Sequence, residues 1–146
     1  MKTLNVTSTI EHKHKDLPRF VCIPMSKVDP WKLQGTTTVE VTMNGADIGR
    51  RSLKRWDNRD CWFMDLADAI CRKAKVETGD PVKLSLTIAS EELPEELAQL
   101  IRQNSQARAR WERLTPGQKR MLREEILTAK QPATRERRAA RALGIL

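Results

Sequence analysis

The segment Val82-Lys83-Leu84-Ser85-Leu86-Thr87-Ile88 alternates apolar and polar residues without a break. Successive side chains on a strand point to opposite faces, so Val82, Leu84, Leu86 and Ile88 share one face of a half-buried strand. The same period runs through Thr37 to Met43, with Val39, Val41 and Met43 inward and Glu40 and Thr42 outward. Asn44-Gly45 follows at once. Both residues tolerate positive φ, which predicts a type I′ hairpin and a return strand from about Ala46 to Leu53. Upstream, Leu4 to His12 puts Leu4, Val6, Ser8 and Ile10 on one face, and Arg19 to Ile23 is ended by Pro24. Cys61 to Met64 is a further short apolar segment. Six short strands in about 90 residues are too many for one flat open sheet, so closure into a barrel or a closed sandwich is expected.

One helix interrupts this half. Asp65 is read as its cap, and Leu66, Ala69, Ile70 and Ala74 recur at helical spacing. Thr78-Gly79-Asp80-Pro81 stops it and turns the chain into the strand at Val82. After Ala89 the period changes to that of helices. The boundary is placed at Ser90, giving a β-rich region over residues 1–90 and a helical region over residues 91–146. Pro94 suits a first helical turn, and Leu97, Leu100 and Ile101 make its apolar stripe. Ala107, Trp111 and Leu114 make a second stripe. Thr115-Pro116-Gly117-Gln118 is a capping box with proline at the first helical position. The helix it starts is expected to bury Met121, Leu122, Ile126 and Ala129. Thr134 is read as the cap of a last helix, with Ala139, Ala140 and Leu143 on one side and Gly144 as the stop. The fold class is therefore α+β. Trp31, Trp62 and Trp111 are expected in the core, Trp111 packing the helical region onto the barrel.

The net charge of +8 is shared equally between the two regions. Such a balance permits attraction to nucleic acid or another polyanion without requiring it. No run of about 18 apolar residues is present, so no membrane insertion is expected. Met1 to Ile10 lacks the apolar stretch of a secretory signal, which argues against export by that route. Cys22, Cys61 and Cys71 are odd in number and widely spaced, which suits free thiols in a reducing cytoplasm.

Three segments carry a resemblance: NGADIGRRSLKRW at 44–56, VETGDPVKLSL at 76–86 and LTAKQPATRERR at 127–138. In their order and spacing the chain resembles the YdeI/OmpD-associated family, often labelled bacteriocin-protection. That resemblance implies a small β-barrel domain of unknown function, a six-stranded split barrel similar to bacterial antitoxin and transition-state-regulator folds, followed by a helical C-terminal region. It also implies a protein partner and a role in stress or bacteriocin protection. Relatives have a glycine-rich loop after the position of Leu53, where this chain reads Lys54-Arg55-Trp56-Asp57-Asn58-Arg59-Asp60.

No Ser-His-Asp order, nucleophile elbow or phosphate-binding glycine loop is present, so a non-enzymatic binding or regulatory protein without a cofactor is expected. His12 and His14 could begin a metal site, but a metal needs three or four ligands and Lys13 and Lys15 flank the pair. They are read as a solvated hairpin end, with no metal site. Asp65 and Asp68 are read as helix-start carboxylates rather than an acid–base pair. Two arginine clusters are the candidate binding residues. The first is Arg50, Arg51, Lys54, Arg55 and Arg59 around Trp56, which suits a phosphate backbone with a stacked base. The second is Arg135, Arg137 and Arg138, with Arg141 one turn on. The alternatives are a charged solvated surface, with these arginines paired to Asp57, Asp60 or Glu136, and a small anionic ligand or substrate held in a pocket between barrel and helices.

Overall fold

Each alternating row becomes a strand in the computed structural model, which describes residues 3–145. The strands are β1 (Leu4–Thr9), β2 (Arg19–Pro24), β3 (Thr37–Met43), β4 (Ala46–Trp56), β5 (Cys61–Leu66) and β6 (Pro81–Ile88). They form one sheet in the order β1-β6-β3-β4-β5-β2, with each neighbouring pair antiparallel. The two outer strands approach each other. Ser8 Oγ donates to the Cys22 carbonyl at 2.6 Å, and Glu11 and Phe20 exchange two backbone bonds of 2.9 Å. The sheet is thus a nearly closed six-stranded barrel, and closure removes most of the exposed edge. The chain divides into two compact units, residues 1–90 and residues 91–146.

The predicted hairpin forms. Asn44 and Gly45 have φ of 51° and 84°, the pair of positive values a type I′ turn requires. Asn44 also ties the turn to the next strand: its Oδ1 accepts from Lys83 N, and its N–H donates to the Lys83 carbonyl, both at 2.8 Å. Beyond the turn the register steps. Val41 pairs with Gly49 and Thr42 with Asp47, leaving Ile48 as a bulge. Gly49 takes φ +81°, and its N–H bonds Asp47 Oδ1 at 2.8 Å. The extra residue explains why Ile48 and Leu53, an odd number apart, both point inward.

The barrel interior holds Ile10, Val21, Ile23, Val39, Met43, Leu53, Trp62, Met64, Leu66, Val82, Leu84 and Leu86. Trp31 packs partly buried against it. Several expectations are corrected here. β1 ends at Thr9, so His12 and His14 lie outside the strand. The expected helix at Asp65 starts later, as α2 (Asp68–Ala74), with Ala67 at the cap and no side-chain bond. Asp65 and Leu66 instead extend β5, because Leu66 fits the period of two as well as that of the helix. A short helix, α1 (Met25–Val28), and a 3-10 turn over Asp29–Trp31 were not foreseen. β4 runs three residues past Leu53.

Among the described residues the second unit has four helices: α3 (Glu95–Gln103), α4 (Ser105–Arg113), α5 (Pro116–Leu127) and α6 (Pro132–Ala142). The capping box at Thr115 and Gln118 forms in both directions, at 3.1 and 2.9 Å. Asn104 caps α4 through Ala107 N at 3.0 Å. α6 begins at Pro132 rather than after Thr134, since proline fits the first turn and needs no cap bond. The core is Leu97, Ala107, Leu122, Ile126, Ala139 and Leu143, with Trp111 packed at its margin. Met121, expected inside, is 69% exposed, while Arg123 is buried in its stead. Both flank the Leu122–Ile126–Ala129 stripe, one residue to either side, and helical periodicity cannot choose between them.

Candidate functional site

In β2 and β5 the inward residues are Val21, Ile23, Met64 and Leu66, so Phe20, Cys22, Phe63 and Asp65 point outward. Lys54 pairs with Phe63 and Trp56 with Cys61 where β4 joins β5. Three rings therefore meet on the outside of the barrel, and none belongs to its core. Their centroids are 5.7 Å (Phe20–Trp56), 6.5 Å (Phe20–Phe63) and 5.2 Å (Trp56–Phe63) apart, all edge to face. Phe20 is buried at the base of the cluster, and Trp56 and Phe63 are half-buried. Such pairs add about 0.5–1.5 kcal/mol beyond area burial, which holds the platform rigid.

Three cations cover these rings. The Arg59 guanidinium lies 5.0 Å from the Trp56 centre and 5.8 Å from Phe20. Lys13 Nζ is 5.7 Å from Trp56, and Lys54 Nζ is 5.8 Å from Phe63. Two of the three are also ion-paired: Arg59 with Glu11 at 3.1 Å and Lys54 with Asp65 at 3.1 Å. The hydrogen bond to Glu11 raises the Arg59 pKa, and that to Asp57 (2.6 Å) raises the Arg55 pKa. Both arginines stay charged at every relevant pH. Beside the platform lies a cleft of about 440 Å³, walled by Trp56, Phe20, Arg59, Lys13, Glu11 and His12. His12 Nε2 is held by the Leu17 carbonyl at 2.8 Å, and His14 Nδ1 accepts from Asp16 N at 3.1 Å. Among the described residues no three His, Cys, Asp or Glu side chains come together as a metal site.

Strand alternation divides the first arginine cluster. Arg50, Lys54 and Trp56 share the outward face of β4, opposite exposed Glu40 and half-buried Phe63. Arg50 reaches Glu40 at 3.7 Å and the Ser90 carbonyl at 3.1 Å. Arg51 falls in the inward register of Val39, and its Nε donates to the Arg50 carbonyl at 2.7 Å. Only Lys54, Trp56 and Arg59 of the predicted set join the ring cluster. Phe20, Phe63 and Lys13 complete it and were not foreseen. The period of two could have found Phe63, which stands between inward Trp62 and Met64.

In the second unit the arginines close helix ends. Arg138 Nη1 donates to the Glu125 carbonyl and to Thr128 Oγ1, both at 2.7 Å, at the end of α5. Arg135 Nε donates to the Ala129 carbonyl at 2.7 Å, and its Nη1 lies 3.6 Å from Glu96. Arg108 caps α3 through the Ile101 and Arg102 carbonyls at 3.2 and 3.0 Å. Cations at a helix C-terminus satisfy free carbonyls and complement the dipole. Arg137 makes a longer bond, 3.4 Å to Thr134 Oγ1, and is exposed.

Cys22 and Cys61 stand two positions apart across β2 and β5, on the outer face, with Cys22 opposite Phe63. Burial, and then the neighbouring Cys61 thiol, push the Cys22 pKa up to about 12. Burial raises that of Cys71 as well. The thiolate is the nucleophile, and at pH 7 Cys22 stays almost wholly in the thiol form. Iodoacetamide is therefore expected to leave Cys22 of the folded protein unmodified for hours at pH 7, with the rate rising tenfold per pH unit. Mass spectrometry showing stoichiometric alkylation of Cys22 within minutes would contradict this.

Two family models cover nearly the whole chain. Residues 7–86 match the domain of unknown function DUF1905. Residues 91–146 match the model described as bacteriocin-protection, YdeI or OmpD-associated. No curated protein matches the chain.

Proposed function

Because the chain belongs to the family that joins a DUF1905 domain to a bacteriocin-protection, YdeI or OmpD-associated region, we propose that it is a non-enzymatic binding protein whose barrel holds single-stranded nucleic acid on its outer aromatic face. The observation that carries this reading is the position of Phe20, Trp56 and Phe63. Three rings gather outside the barrel core with three cations within 6 Å of their centres. Apolar rings clustered on an outer face mark an interaction site. Bases stack on aromatic or guanidinium planes whatever their sequence, while cations track the backbone. The carboxylates beside Arg59 and Lys54 do not forbid this. Exposed ion pairs are worth about 0–1 kcal/mol, so a phosphate replaces Glu11 or Asp65 at small cost.

Fluorescence anisotropy with a labelled oligothymidylate tests it. Affinity is expected near 10⁻⁴–10⁻⁶ M at physiological salt, falling steeply as salt rises. Trp56→Ala is expected to weaken binding at least tenfold, since a stacked base is worth about 1–3 kcal/mol. Trp56 lies outside the core, so the variant keeps the fold, which circular dichroism checks. An unchanged anisotropy at low salt and high protein concentration would end the reading.

The family description gives the biological setting of the proposal. The proposal itself places the protein in the cytoplasm, with its thiols reduced, and takes from the family description a role in lowering the damage done by a bacteriocin. Cells lacking it become more bacteriocin-sensitive, and the wild-type gene restores protection where the Trp56→Ala gene does not.

A further inference from the structure

A second groove lies on β1, β6 and β3. Its floor is polar by register. Asn5 pairs with Ser85, Thr7 with Lys83, and Thr42 with Ser85, so these side chains form two adjoining cross-strand rows facing outward. The groove measures about 780 Å³, and Lys27 of α1 forms one wall. Among the described residues no carboxylate lines it. Two other clefts differ: one contains Glu11 and the other Asp68, Glu77 and Asp80.

Lys27 and Lys83 also differ from the cations of the aromatic face. Among the described residues neither lies within ion-pair distance of a carboxylate, whereas Arg59 and Lys54 do. Their backbones are held in place. Lys83 is fixed on both sides by Asn44 at 2.8 Å, and Val28, next to Lys27, is buried in the core. The floor is already ordered: Ser85 Oγ donates to Asn5 Oδ1 at 2.9 Å. That bond leaves the Asn5 amide NH₂ to donate elsewhere, beside the Thr7 and Thr42 hydroxyls.

We infer that this groove binds a small phosphorylated polyol, with Lys27 and Lys83 on the phosphate and Asn5, Thr7, Thr42 and Ser85 on its hydroxyls. Two ammonium groups match the charge of a phosphomonoester, about −1.5 to −2 at neutral pH. Hydroxyl and amide side chains both donate and accept, as sugar hydroxyls do. The volume falls within the range of small-molecule sites. The inference is independent of the nucleic-acid reading, which uses another face and other residues.

The test is an amide NMR titration of the full chain with ribose 5-phosphate, inorganic phosphate and ribose in separate arms. Saturable shifts at Asn5, Thr7, Thr42, Gly45, Lys83 and Ser85 are expected with ribose 5-phosphate. Inorganic phosphate is expected to bind more weakly and ribose not measurably. The Lys27→Gln/Lys83→Gln double variant, changed only at exposed positions, is expected to lose at least tenfold in affinity, and Trp56→Ala nothing. No saturable shift with ribose 5-phosphate, or equal affinity in the double variant, overturns the site. Equal affinity for inorganic phosphate overturns its polyol part.

Discussion

Replacing Leu86 with alanine lowers the stability of the barrel unit by about 3 kcal/mol, within the 2–5 range for buried leucines. Leu86 is 0% exposed and lies mid-strand in β6, opposite Leu4 on one side and Val41 on the other. Its side chain fills the space between both neighbouring strands. Truncation forfeits its transfer free energy and leaves a cavity that a nearly closed barrel cannot collapse around. Ile88 shares the face but is only half-buried near the strand end, so Ile88→Ala costs about 1 kcal/mol. Native-state amide exchange of β3 and β6 separates these values from events in the helical unit. A Leu86→Ala loss below about 1 kcal/mol would mean that this row is not the centre of the core.

The same row shows what the sequence discloses. Strict alternation in β6 and Asn44-Gly45 after β3 are local signals, and both elements form as read. The bulge at Ile48 is not local in that sense. Asp47-Ile48-Gly49 acquires its meaning only opposite Val41 and Thr42, where one residue too many must be accommodated. Ending the return strand near Leu53 makes Lys54 to Arg59 look like one basic loop, whereas β4 runs on to Trp56 and sends its side chains to two faces. Asp65 reads as a helix cap for a related reason. Its partner Lys54 lies on the neighbouring strand, and nothing near Asp65 in sequence reveals that bond. Arg59 likewise meets Glu11 from 48 residues away. Helix ends were legible where the cap is a short-range pair, as at Thr115 and Gln118. They were not where a distant arginine does the capping, as Arg138 does for α5. Candidate residues were therefore found as types, while their grouping depended on pairings made across the sheet.

The second large effect is expected at Gly144. The end of α6 is closed by Ile145 N–H donating to the Ala140 carbonyl at 2.8 Å and Gly144 N–H to the Arg141 carbonyl at 3.1 Å. Gly144 takes φ +69° to allow it, as glycine does after a helix end. Arg110, from α4, donates its Nη1 to the Leu143 carbonyl at 2.8 Å. A methyl group at Gly144 would occupy the place of that guanidinium. Gly144→Ala therefore has two costs: about 1 kcal/mol for a side chain in the left-handed region, and about 1–2 kcal/mol for the displaced charge-assisted bond. Arg110→Ala loses only the bond, about 1–2 kcal/mol. In the double variant the methyl group displaces nothing, so the combined loss should fall short of the sum by about 1–2 kcal/mol. Thermal or denaturant unfolding of the four proteins completes the cycle. Strict additivity would show that Arg110 does not hold the end of α6, because two changes that remove the same bond cannot each remove it in full.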